Sequence, residues 1–155
     1  MTPGTPGQMP VLQKIDQLLG TYGIYIAWLI ALLGTFGSLF FSEAGGLVPC
    51  SLCWYQRTLM YPLAITLGLA AFKDDGAVVR YSLPLAAIGA PLALYHYLLQ
   101  MVPALQNSGL CRVGLPCGER DLDWFGFINI PLLSFIAFAL IVVCLWRVHA
   151  VRHAR

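Results

Sequence analysis

Apolar residues gather into four long blocks, and the short stretches between them carry nearly all the charge. The first block, Thr21–Phe41 (TYGIYIAWLIALLGTFGSLFF), has no charged residue. The others are Trp54–Phe72, Tyr81–Val102 and Phe127–Trp146, the last ending IVVCLW. A helix needs about 20 such residues to cross the hydrocarbon core of a bilayer. The pattern therefore predicts an all-α membrane protein, a four-helix transmembrane bundle. Pro62, Pro84 and Pro91 fall inside the blocks. They do not break the reading, because neighbouring helices can satisfy the carbonyls a proline frees.

Composition agrees. Of 155 residues, 59% are hydrophobic and 10% charged, against roughly 25% charged in soluble domains, and the mean hydropathy is +0.75. A water-soluble helical core would have to hide four runs of membrane length in 17.0 kDa. The first block starts late and is too long for the apolar core of a signal peptide, so it is expected to anchor the chain. A net charge of +2 with no basic cluster speaks against nucleic acid as a partner.

Lys and Arg near the span ends set orientation. Lys14, Lys73, Arg80, Arg147, Arg152 and Arg155 would share one side. The other two connections carry only Arg112 and Arg120, diluted by Glu43, Glu119, Asp121 and Asp123. Both termini are expected to be cytoplasmic. The expected organisation is a disordered tail over residues 1–14, a membrane domain over 15–147 and a basic cytoplasmic tail over 148–155. Pro103–Gly126 is the longest connection, and loops of that length usually carry function. Its end, DLDWFGF, could lie along the membrane interface.

Five cysteines change the picture. Cys50 and Cys53 stand just before the second block, and Cys111 and Cys117 enclose RVGLP in the long outer connection. Both pairs face the compartment where disulfides persist. Cys144 sits near the cytoplasmic end of the fourth block and reads as a small packing residue.

The stretch VPCSLCWYQR, Val48–Arg57, is the densest in chemistry. If a helix starts near Ser51–Cys53, its first amides are free and partly positive, and a thiolate there is stabilised. Arg57 lies four residues after Cys53, on the same helical face, and can add to that stabilisation. Gln56 offers an amide to the same region. Arg57 could instead only snorkel to the interface. An ionisable residue within a span, such as His96 in LYHYLL, is a functional candidate; it could exchange protons with a redox partner, or simply be a hydrogen-bonded packing residue. The loop pair could be a structural staple. Four thiols could also hold zinc. Two cysteine pairs on one side suggest thiol–disulfide exchange in series. A relay ending in the membrane needs a lipid-soluble acceptor, which a quinone provides.

Cys-x-x-Cys-x-x-Gln-Arg followed by TLMYPL, Cys50–Leu63, resembles the DsbB family of disulfide-forming membrane proteins. The four-span layout and the outer cysteine pair extend the resemblance over about residues 15–147. The six-residue step from Cys111 to Cys117 looks closer to the BdbC-type branch. The resemblance implies a membrane thiol–disulfide oxidoreductase of the inner membrane. Such a protein re-oxidises a DsbA-like thioredoxin-fold thiol oxidase and passes electrons to ubiquinone or menaquinone. It implies that Cys111 forms the mixed disulfide with that partner and that Cys117 is its disulfide mate. Cys50 and Cys53 would receive the electrons. Cys53 would face the quinone as a charge-transfer or covalent partner, with Arg57 stabilising it and Gln56 shaping the pocket. Two alternatives stand beside this reading. One is a non-enzymatic four-span protein with two structural disulfides. The other is a vitamin K epoxide reductase-like quinone reductase, in which the loop pair precedes the Cys-x-x-Cys, the reverse of the order here.

Overall fold

The computed structural model describes residues 9–46, 49–73, 75–102 and 129–153. Within them the chain forms four long helices: α1 (Met9–Glu43), α2 (Ser51–Lys73), α3 (Val79–Met101) and α4 (Ile130–His153). A single 3-10 turn, Gly76–Val78, leads into α3, with the Asp75 carboxylate accepting the Ala77 N–H at 2.9 Å. α2 runs unbroken through Pro62, and α3 through Pro84 and Pro91.

Each helix packs against two others, in the ring order α1, α2, α3, α4 and back to α1. Side-chain pairs fix the directions. Arg57, early in α2, reaches Ser38 and Ser42, late in α1. Gln56 of α2 meets His96, late in α3. Asn129, at the head of α4, donates to Gln100, late in α3, at 2.6 Å. Neighbouring helices are therefore antiparallel.

The helices overrun the expected segments at two places. α1 begins at Met9, inside the stretch expected as a disordered tail, where Val11, Leu12, Ile15, Leu18 and Leu19 continue a helical apolar spacing. α4 continues to His153, through most of the expected basic tail. Three helical stretches, Leu18–Glu43, Gly76–Met101 and Ile130–Arg152, are long and apolar enough to cross a membrane. α2 is of similar length, 23 residues, but carries Gln56, Arg57, Thr58 and Thr66. The helix that is least apolar on average is the one that carries the cysteine motif.

The core is made of small and branched residues. Ala27 and Ala31 of α1, Leu63 and Leu67 of α2, Ala86 and Ala93 of α3, and Phe138 and Ile141 of α4 are all fully buried. Close approach of backbones, rather than flight from water, is what holds helices together in lipid. At Gly89 of α3, an added Cβ would fall 2.3 Å from the Phe138 ring. At Gly23 of α1, it would fall 2.5 Å from Val148 and 3.2 Å from the Cys144 carbonyl. The outer surface is the reverse: Leu33, Phe36, Phe72 and Tyr81 are largely exposed, as a lipid-facing surface requires.

Candidate functional site

Five polar side chains are buried among the described residues, and four of them, Gln56, His96, Gln100 and Asn129, lie at one end of the bundle, where α2 and α4 begin and α1 and α3 finish. Cys50 and Cys53 are at that end. Lys73, Arg80, Arg147 and Arg152 are at the other. Among the described residues, Arg57 is the one Lys or Arg at the cysteine end.

Cys50 precedes the first residue of α2 and occupies its N-cap position. Its carbonyl accepts the Trp54 N–H at 3.1 Å, and its sulfur accepts the Cys53 N–H at 3.4 Å. A cap residue commonly gives a side-chain acceptor to the amide three residues on; here the acceptor is sulfur. The two sulfurs lie 3.0 Å apart and are not bonded. His96 Nε2 stands 3.6 Å from Cys50 Sγ. The hydrogen bond with the Cys53 thiol holds the Cys50 thiol far down, to about 4, with His96 and the Cys53 amide adding to it against the opposing effect of burial. The sequence expectation was a thiolate stabilised at the helix start, with Arg57 beside Cys53; the lowering falls on Cys50. The capping sulfur, not the one a turn before the arginine, receives the helix amide.

Arg57 shares the Cys53 face of α2, but its guanidinium is turned to α1. Nη2 donates to the Ser38 carbonyl at 2.9 Å and to the Ser42 hydroxyl. The guanidinium carbon lies 5.6 Å from the centre of the Trp54 ring, within cation–π range. Its Nε is buried and has no hydrogen-bond partner among the described residues. Ser38 and Ser42 were not among the sequence candidates. Their signal was available: two hydroxyls four residues apart, on one face of an otherwise apolar helix end.

Gln56 and His96, distant by 40 residues, are both buried and joined by a 2.9 Å bond from the Gln56 amide nitrogen to His96 Nδ1. With Nδ1 accepting, the ring proton sits on Nε2, on the side of Cys50. The packed and the functional readings of His96 thus meet in one residue: it is buried and hydrogen-bonded, and it touches the cysteine pair.

Cys53, Gln56, Arg57 and His96 line one cavity of about 200 Å³. Its other walls are mostly apolar: Leu33 and Phe41 of α1, Met60 of α2, Leu133 and Ala137 of α4. Gly34 and Gly37 widen it on the α1 side; a Cβ at Gly37 would meet nothing within 4 Å. A second cavity of about 320 Å³ shares Ser42, Pro49, Arg57 and Tyr61 with the first and continues past Leu39 and Trp54. The first is small beside the ~300–1,000 Å³ of sites that enclose a whole drug-sized ligand. It suits a ring-sized polar head whose tail lies elsewhere.

Cys111 and Cys117 lie outside the described residues, as does the DLDWFGF stretch. Cys144 is buried in α4 among apolar residues, next to the close contact at Gly23.

The family described as "Disulfide bond formation protein DsbB" matches residues 21–148. The chain belongs to the DsbB family. "Disulfide bond formation protein C" of Bacillus subtilis (strain 168) is 49% identical over 120 residues, which is 77% of this chain and 87% of the relative. "Probable disulfide formation protein C 1" of Bacillus anthracis is 46% identical over 79% of this chain and 88% of its own length. "Probable disulfide formation protein" of Coxiella burnetii (strain Dugway 5J108-111) is 44% identical, with 79% and 84% covered. No solved structure matches. Family and helices together make this a multi-pass membrane protein of disulfide bond formation.

Proposed function

We propose that this chain is a protein-disulfide:quinone oxidoreductase. It re-oxidises an extracytoplasmic DsbA-like thioredoxin-fold thiol oxidase and delivers the electrons to a membrane quinone, ubiquinone or menaquinone. One observation carries the reading: the Cys50–Cys53 pair stands at a helix start, with Cys53 opening into an apolar cavity that also holds Arg57 and His96. A structural staple has no use for such a cavity.

Each transfer breaks one disulfide and forms another, so two electrons and two protons pass at every step. The partner's dithiol reduces the Cys111–Cys117 disulfide, with Cys111 forming the mixed disulfide. The loop dithiol then reduces Cys50–Cys53. A quinone in the cavity would supply the final sink for two electrons and two protons. Cys53 faces that sink. Cys50 holds the thiolate 3.0 Å away, placed to form the S–S bond with Cys53 Sγ as the pair's two electrons and remaining proton would leave to the quinone. The orphaned Arg57 Nε is a ready donor to a polar head, and the apolar walls exclude water from it. His96 keeps a proton on Nε2 between Cys50 and the cavity, held there by Gln56. The cysteine end is then the extracytoplasmic end, and the end with Lys73, Arg80, Arg147 and Arg152 is cytoplasmic, as the positive-inside rule requires.

The test is quinone reduction by the purified protein supplied with a reduced thioredoxin-fold oxidase, comparing wild type with Cys53→Ser. Turnover abolished by the substitution is the expected result. No turnover with either quinone class, with both pairs oxidised and inert, would leave a structural protein.

A further inference from the structure

The same three groups that serve the relay have a second chemistry in the dithiol state. Sγ of Cys50, Sγ of Cys53 and a ring nitrogen of His96 all lie within 4.8 Å of one another. Two thiolates and an imidazole are the donor set of an open zinc site, with three protein ligands and a fourth position for water. The geometry points to a redox-gated metal site: Cys50, Cys53 and His96 bind a zinc-class divalent cation when the pair is reduced, and release it when the pair closes to a disulfide.

Distances support this. With Zn–S near 2.3 Å and Zn–N near 2.0–2.1 Å, tetrahedral ligands stand about 3.8 Å apart for S···S and about 3.5 Å for S···N. The chain already holds Cys50 Sγ and His96 Nε2 at 3.6 Å. The sulfurs, at 3.0 Å, need to part by less than an ångström. Among the described residues no fourth His, Cys, Asp or Glu joins the group, so the remaining position is open. Charge also balances: two thiolates cancel a divalent cation, and a neutral assembly is the form that burial tolerates. Binding displaces the thiol proton that the pair still holds and requires no oxidant or reductant.

A ligating histidine normally donates its other ring N–H to a fixed acceptor. Gln56 stands at Nδ1 for that purpose. An amide meets either ring state by turning end for end, presenting its oxygen to an Nδ1–H in the metal form. The entry path is the cavity lined by Cys53 and His96. A bound cation would hold both sulfurs reduced and so halt the relay. A reduced pair would be sensitive to zinc and an oxidised pair would not. The metal site itself does not depend on the identity of the electron acceptor.

The experiment uses the full chain in detergent, reduced by a phosphine and freed of it, titrated with Co²⁺ and then with Zn²⁺ in competition. One Co²⁺ per chain should bind, with the thiolate-to-metal absorption of a tetrahedral sulfur site, and Zn²⁺ should displace it. Oxidation of the pair, or Cys53→Ser, should abolish the band. His96→Gln should weaken Co²⁺ binding at least as much as loss of an outer-shell partner, roughly tenfold or more. Cys144→Ser and the double variant Cys111→Ser/Cys117→Ser should bind as wild type does. The inference is overturned if the folded, reduced chain takes up no Co²⁺, or if Cys53→Ser or His96→Gln binds as tightly as wild type. Loss of the band in the loop double variant would overturn it too, by moving the metal to the other pair.

Discussion

Where α1 passes α4 at Gly23 and α3 passes α4 at Gly89, the helices touch through glycine, alanine and the Phe138 ring, and no space is left. At the head of α2 the same four helices stand apart around a cavity, and the contacts are hydrogen bonds: Gln56 to His96, Arg57 to Ser38 and Ser42, Asn129 to Gln100. Lipid supplies little force to pull helices together, so dry close packing elsewhere must fix their positions. That rigidity lets the cysteine end stay open without collapsing. Stability and chemistry should therefore be separable by mutation, and four substitutions or conditions test how cleanly.

The largest effect should come from Cys50→Ser. It removes the nucleophile of the proposed relay, and turnover should fall by roughly 10³-fold or more. Serine is nevertheless a good N-cap and can accept the Cys53 N–H as the sulfur does. At about pH 5, where the Cys50 thiolate contributes least, the thermal midpoint in detergent should then barely move. A variant that lost activity only by unfolding would erase the distinction between the two ends.

Gly89→Val is the converse. Its Cβ alone would stand 2.3 Å from Phe138, which is fully buried. Overpacking of this kind costs about 1–3 kcal/mol, sometimes more. The melting temperature should drop, while the fraction that remains folded keeps its thiol-oxidising activity per molecule. Activity lost faster than folded protein would show that the two ends are coupled.

Gln56→Leu probes the site more gently. The leucine fills similar volume but leaves His96 Nδ1 without its partner, and a buried unsatisfied group costs about 1–3 kcal/mol. Turnover should fall by about tenfold as the ring loses its fixed tautomer, on the scale of general acid–base contributions at the low end. Its pH profile should shift as well, which a purely structural lesion would not cause.

The spans, the antiparallel layout and the position of the motif at a helix start were legible because each is written in contiguous residues. Four apolar blocks give four helices, and Pro49 with the cysteines marks where α2 begins. What was not legible depends on residues far apart. Nothing near Arg57 in the chain announces that its guanidinium turns to α1, 15 and 19 residues back. Nothing near His96 announces Gln56, 40 residues earlier. Helical spacing tied Cys53 to Arg57 and allowed a helix start near Ser51–Cys53; that Cys50 is the cap is decided by backbone geometry, which spacing alone does not fix.

That cap gives the smallest of the expected effects, a pH dependence confined to the reduced protein. The Cys50 thiol is lowered from 9.0 to about 4 by the Cys53 thiol, with His96 and the Cys53 amide assisting. A group whose folded value is depressed favours the folded state wherever the unfolded chain still binds the proton and the folded one does not. Its contribution is therefore fully present above about 9 and is lost as pH falls toward about 4. Between those limits the unfolded thiol is protonated and the folded one is a thiolate, so stability rises with pH. The gap in melting temperature between reduced wild type and reduced Cys50→Ser should widen from about pH 5 to about pH 8. Oxidation to the disulfide removes the titrating sulfur, so the slope should vanish in the oxidised wild type. A gap that stayed flat in the reduced protein would mean that Cys50 keeps its proton. The thiolate would then have to be sought at Cys53, on the side of the cavity.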